Sequence, residues 1–162
     1  MPHRFSRYNG GVKYLILLLI SPILLLGACS TLTDGQVAAA AAETTEYLAQ
    51  GDLDALAGSS GTPFLFETEI LPAPVQLTYL WEGLAASGYD FGPQGDIRVL
   101  DPDDETWMRF SSSREVQIWF RRHAPVDAAL AVVPTQGGRV VLVVDRDRRS
   151  TERIRGLKVE HE

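Results

Sequence analysis

The chain reads as an α+β protein in which N-terminal helices pack on one face of a curved antiparallel sheet. Three observations predict this. Capped segments with apolar residues at helical spacing occupy the first half of the chain behind residue 33. Beyond Gly95 the pattern changes to short apolar segments separated by turn residues. No internal repeat or low-complexity linker divides the 162 residues, a length suited to one ordinary domain.

The elements follow in order. Thr33 and Gln36 stand three residues apart, as a capping box requires. Val37, Ala41, Thr45 and Leu48 then mark one helical face, and Gly51 supplies a C-terminal stop. Asp52 caps a short helix over Leu53-Asp54-Ala55-Leu56. Gly58-Ser59-Ser60-Gly61 reads as a turn, and Pro63-Phe64-Leu65-Phe66 as a short apolar segment. Pro74 suits the first position of a third helix, whose stripe is Leu77, Leu80, Trp81 and Leu84 and whose end is Gly88. Strands are predicted over 96–101, 106–110, 115–123, 128–134, 139–145 and 154–160. Their short connections imply antiparallel pairing of successive strands.

The order of helices and strands, with the junction Leu48-Ala49-Gln50-Gly51-Asp52-Leu53-Asp54-Ala55-Leu56, resembles the nuclear-transport-factor-two-like, or cystatin-like, superfamily. The resemblance covers residues 34–160. It implies a curved sheet wrapped around a helix to form a cone, used for catalysis in some members and for ligand or partner binding in others.

Residues 1–28 are organised differently. Arg4, Arg7 and Lys13 precede an apolar run from Tyr14 to Leu26, broken only by Ser21-Pro22. A positive end, an apolar run and small residues at a cut site form the plan of a secretory signal. The run is 13 residues long, short of the roughly 20 that a spanning helix needs. Leu26-Gly27-Ala28-Cys29 resembles the lipobox of bacterial lipoproteins, and Cys29 is the single cysteine. The resemblance implies cleavage between Ala28 and Cys29, a diacylglycerol thioether on Cys29 and a further acyl chain such as palmitate on the new amine. The alternatives are a permanent membrane helix and an ordinary secreted protein. The expected organisation is thus a signal peptide over 1–28, a lipidated N-terminus and short tether over 29–33, and an α+β domain over 34–162. Ser30 to Thr33, fully extended, reach roughly 15 Å. In enteric bacteria an Asp after the lipidated cysteine retains a lipoprotein at the inner membrane. Ser30 favours the periplasmic face of the outer membrane.

Removing residues 1–28 leaves 12 Lys+Arg against 21 Asp+Glu, a net charge of −9. That excess of acid argues against nucleic acid as a partner, because phosphate is bound by Lys and Arg, and against a surface that adheres to anionic lipid by charge alone. One cysteine excludes an intrachain disulfide and a cysteine-based metal cluster. No motif calls for a cofactor or metal, and no catalytic set is apparent.

Candidate residues are few. On a strand over 115–123, Val116, Ile118 and Phe120 share the core face; Gln117, Trp119, Arg121 and His123 share the other. That second face is either a ligand or partner surface, with Trp119 stacked on Arg121, or a solvated outer face carrying one Trp. His123 and Asp127, four residues apart across a turn, are either an oriented base or ordinary polar residues at a hairpin tip, and the tip is the simpler reading. His161 reads as tail, Glu67 and Glu69 as a solvated connection, and Trp81 and Trp107 as core. Arg146, Arg148, Arg149, Arg153 and Arg155, interleaved with Asp145, Asp147 and Glu152, are either a charged hairpin loop, the simpler reading, or an anionic-ligand or membrane-facing patch.

Two functional expectations follow. One is a non-catalytic, lipid-anchored envelope protein that binds a small apolar ligand or a protein partner. The other is a small pocket enzyme of the polyketide-cyclase or ketosteroid-isomerase kind, which needs an acid or base inside an apolar cavity.

Overall fold

A computed structural model of the chain describes residues 31–101 and 103–161. The basic stretch, the apolar run, Ala28 and Cys29 lie outside the described residues. At the first described position Thr31 bridges Asp147, and Leu32 is already buried.

Helix α1 (Asp34–Gln50) starts at the expected box: Thr33 Oγ1 accepts from Gln36 N at 3.4 Å, and Gln36 Oε1 accepts from Thr33 N at 3.1 Å. It stops at Gly51, whose φ of 69° is left-handed; the Gly51 N–H then reaches Leu48 O and the Asp52 N–H reaches Tyr47 O. Helix α2 (Leu53–Ser59) is capped by Asp52, whose carboxylate accepts from Ala55 N at 3.1 Å. Strands β1 (Ser60–Phe66) and β2 (Glu69–Leu71) form a hairpin, and helix α3 (Pro74–Ala85) begins with its proline. Strand β3 (Arg98–Leu100) precedes helices α4 (Asp104–Phe110) and α5 (Arg114–Arg122). Strands β4 (Ala128–Thr135), β5 (Gly138–Asp145) and β6 (Ile154–His161) complete the chain.

Three expectations are corrected. Residues 106–110 and 115–122 fall in helices α4 and α5 rather than strands, and His123 is the C-cap of α5. Asp103 caps α4 by accepting from Thr106 N, and Ser113 caps α5 by accepting from Val116 N. Val116, Trp119 and Phe120 then stand at i, i+3 and i+4, a helical stripe that alternation over the same residues obscures. The sheet is also mixed rather than purely antiparallel. Its order is β2-β1-β6-β5-β4-β3, and β1 runs parallel to β6, pairing Leu65 with Gly156 and Phe66 with Leu157. The short-connection rule governs neighbours in sequence, and β1 and β6 are separated by most of the domain.

The third correction concerns the layers, since helices cover both faces of the sheet. Helices α1 to α3 pack on one face with Phe64, Ala129, Ala131, Val133, Val140, Leu142, Val144 and Leu157. Helices α4 and α5 contribute Phe110, Val116, Trp119 and Phe120 to the other face, against Leu65, Leu130, Val132, Val141 and Val143. Trp107 stacks on Phe120 with centroids 4.2 Å apart and so ties α4 to α5. A sheet face left in water needs polar residues at alternate positions, whereas β4 and β5 are apolar almost without break.

Candidate functional site

An open cleft of about 530 Å³ lies where α3 ends and β1 and β6 finish. Phe66 and Val159 come from the strand ends, Leu84 from the last turn of α3, and Tyr89 and Phe91 from the segment behind it. Gly88, with φ of 75°, turns the chain from α3 into that segment. Tyr89 is fixed on three sides. Its hydroxyl bonds the Thr135 hydroxyl, its ring lies 4.7 Å from that of Phe91, and the His161 ring meets it edge-on at 5.6 Å.

Beside the Tyr89 phenol, a carboxylate and an imidazole border the cleft, Glu67 and His161. Glu67 has a left-handed φ of 54°, and its carboxylate accepts from Val159 N at 2.7 Å while its own N–H donates to Leu157 O at 2.9 Å. The carboxylate therefore closes the end of the β1–β6 ladder, which accounts for an acid at that position. Beneath the cleft, Leu56, Phe64, Trp81 and Phe91 fill the space between α1–α3 and the sheet, with Trp81 edge-on to Phe64 at 5.5 Å. The Trp81 indole N–H is buried with no acceptor among the described residues.

The residues singled out from sequence are not brought together. Trp119 is fully buried, and its Nε1 donates to Pro63 O at 3.2 Å. Arg121 and His123 are exposed at the end of α5, where the His123 N–H donates to Trp119 O at 2.8 Å. Cys29 and Ala28 lie outside the described residues. No protein-family model and no curated protein matches the chain. Trp81 and Trp107 are packed as expected, Trp81 in the α1–α3 layer and Trp107 against Phe120. Two of the clustered arginines are held by polar partners. Arg146 meets Asp34 at 2.8 Å and Asp101 at 3.0 Å, and Arg155 donates to Thr62 O at 3.1 Å.

The cleft itself escaped the sequence reading. His161 had the look of a tail and Glu67 of a solvated connection. The available signal was Gly88-Tyr89-Asp90-Phe91-Gly92, two aromatic rings in a segment bounded by glycines. Among the described residues no cluster of three His, Cys, Asp or Glu side chains could hold a metal, and no helix is long and apolar enough to cross a membrane.

Proposed function

We propose that the chain is a lipid-anchored protein of the bacterial cell envelope whose domain binds an apolar group in the cleft beside Tyr89. The observation that carries this is the cleft's make-up: aromatic and aliphatic walls, open to solvent, with its one carboxylate engaged by a backbone N–H. A few fixed polar groups in an otherwise apolar concavity suit binding and orientation. Acid–base work asks for an ionisable group free to exchange protons with a substrate in an enclosed site, and the filled interior beneath the cleft favours the binding reading over a pocket enzyme. The occupant is a small apolar ligand or an apolar side chain of another envelope protein.

The anchor part of the reading rests on Leu26-Gly27-Ala28-Cys29 and on the single thiol. One acyl chain gives only marginal membrane attachment, and two or three make it effectively permanent. The outer membrane is the favoured site because Ser30 follows Cys29. Helices α1–α3 against one sheet face, followed by the long strands β4–β6, support a nuclear-transport-factor-two-like cone, with α4 and α5 as an added cover on the other face.

The test is native mass spectrometry of the detergent-extracted protein beside its Leu84→Arg variant, which places a charge in the cleft wall. A bound mass or protein that is present on the wild type and lost from the folded variant supports the reading. Identical bound species on both proteins, or none on either, would count against it. Cys29→Ala tests the anchor: the protein should become soluble or stay uncleaved.

A further inference from the structure

We propose that the end of the domain bearing Thr31 seats on the bilayer surface, Val126 entering the interface and Arg148 and Arg149 meeting lipid phosphates, so that the cleft opens away from the membrane. The proposal rests on the reading of Cys29 as a lipidated residue.

The start of the folded unit is pinned to one end of the sheet. Thr31 bridges Asp147, the Leu32 N–H donates to Arg146 O at 2.8 Å, and Arg146 Nη1 donates to Leu32 O at 3.3 Å. Only Ser30 lies between Cys29 and Thr31, a span of about 7 Å at most. Lipid on Cys29 therefore brings this end of the domain to the headgroups and leaves it little freedom to turn over.

The same end carries the groups a bilayer surface would take. The Arg146 N–H donates to Asp127 O at 3.2 Å, so the 123–127 tip lies beside the β5–β6 turn. Thr31, Val126 and Arg146 line one shallow pocket there with Asp101, Asp127 and Ala128. Val126 is 97% exposed, the most exposed large apolar side chain among the described residues. An isolated apolar residue at a loop tip gains nothing from water and gains area in an interface.

The same end carries exposed cations, set among the exposed acids Asp34, Asp101, Asp127 and Asp147. The −9 of residues 29–162 makes an anionic bilayer repel most of the surface. Arg121 and Arg122 end α5 and lead into the tip, and Arg148 and Arg149 are exposed on the turn beside it. Arg146 is spent on Asp34 and Asp101, whereas among the described residues the Arg148 side chain meets only the neutral Gln36 amide oxygen, at 3.3 Å. The acids of the turn are partly occupied: Asp145 accepts from Asp147 N, and Asp147 from Arg149 N, each at 2.9 Å. The exposed guanidinium groups are left to phosphate oxygens, which they bind well.

Strand direction then sets the cleft. Strand β6 starts at Ile154, beside Val144 near the turn, and ends at His161 in the cleft. Its eight residues span roughly 25 Å at about 3.3 Å each. Parallel β1 runs the same way and delivers Phe66 to the cleft. The cleft thus faces the aqueous side, at a strand's length from the bilayer.

The test uses the full-length lipidated protein in phosphatidylethanolamine/phosphatidylglycerol vesicles containing doxyl-labelled lipid. A bimane is placed on Val126→Cys or, separately, on His161→Cys; the Cys29 sulfur is blocked by its thioether. Several-fold stronger quenching at 126 than at 161 is expected, and Arg148→Glu/Arg149→Glu should reduce it while the protein stays on the vesicles. Equal quenching at both positions, or stronger quenching at 161, would overturn the seating. Undiminished quenching in the double variant would overturn the part given to the arginines. The mass of the N-terminal peptide separates the two readings: a lipid-free Cys29 removes anchor and seating together, while a lipidated Cys29 with unselective quenching removes the seating alone.

Discussion

The indole N–H of Trp119 donates to the backbone carbonyl of Pro63, 3.2 Å away, and so fastens α5 across the sheet to β1. Trp119 is fully buried and Pro63 half-buried, and the ring packs with Val116 and Phe120 against the sheet. Trp119→Phe should therefore lose the hydrogen bond and leave the Pro63 carbonyl short of a donor, a cost of about 1–3 kcal/mol. Trp119→Ala should cost about 3–5 kcal/mol. Urea unfolding followed by circular dichroism checks both. A solvent-facing Trp119 would give values near zero.

Trp81 offers the contrast. It is as deeply buried, and its indole N–H has no acceptor among the described residues. Trp81→Phe forfeits packing against Phe64 but also removes an unpaired donor, and these partly offset. Its destabilisation should be smaller than that of Trp119→Phe under the same denaturant. The reverse order would show that the Trp81 N–H is bonded.

Gly138 sits at the β4–β5 turn with φ of 155°, and a Cβ there would lie 2.0 Å from Glu160 O. The obstacle is backbone of the paired strand, which cannot swing aside. Gly138→Ala should destabilise the domain by about 2–3 kcal/mol. Gly51→Ala, which meets no atom but holds φ of 69°, should cost about 1 kcal/mol. Paired thermal melts would rank the two.

Glu160 gives the protein an acid-sensitive contact. Burial pushes its carboxyl up, but hydrogen bonds and charge from Lys158 and Arg139 outweigh that, and its pKa is lowered. A lowered folded-state pKa contributes stability above the unfolded value, about 4.3, and that stability is lost as pH falls through the folded value. Stability should hold from pH 7 to about 5 and decline below about 4.3. Glu160→Gln should flatten that decline, as measured by unfolding midpoints across pH 3–7. A decline of equal depth in the variant would place the effect elsewhere.

Arg146 closes the start of the fold. Its side chain is mostly buried, while Asp34 and Asp101 are exposed, so the two ion pairs add little and the bond to Leu32 O adds more. Arg146→Ala should cost about 0.5–1.5 kcal/mol globally. Its larger effect should be local, with faster amide hydrogen exchange at Leu32. Unchanged exchange there would show that the Thr31–Asp147 bridge suffices.

The legible parts of the fold are those set by local chemistry. Thr33 with Gln36, Asp52 and Pro74 announce three helices because capping needs only neighbours in sequence. β4, β5 and β6 stood out because long apolar runs were separated by Gly137-Gly138 and by a charged turn. Helices α4 and α5 were misread because eight or so residues carrying Trp, Phe, Val and Ile satisfy alternation and helical spacing at once. The deciding clues were present: serine and aspartate caps before each, and strands too apolar for a sheet with one wet face. The cleft was hidden because its walls are scattered from Phe66 to His161, and only the parallel β1–β6 pairing sets them side by side.

The sequence by itself therefore determined the helical first half, the three long strands, the acidic surface and the placement of a lone cysteine behind a short apolar run. All of these depend on residues within a few positions of one another. Tertiary structure decided that helices cover both faces, that Trp119 is core rather than surface, and that Thr31 is fixed to the arginine-rich turn a strand's length from the cleft. Those outcomes depend on which distant surfaces exclude water together, and burial of that kind has no local signature.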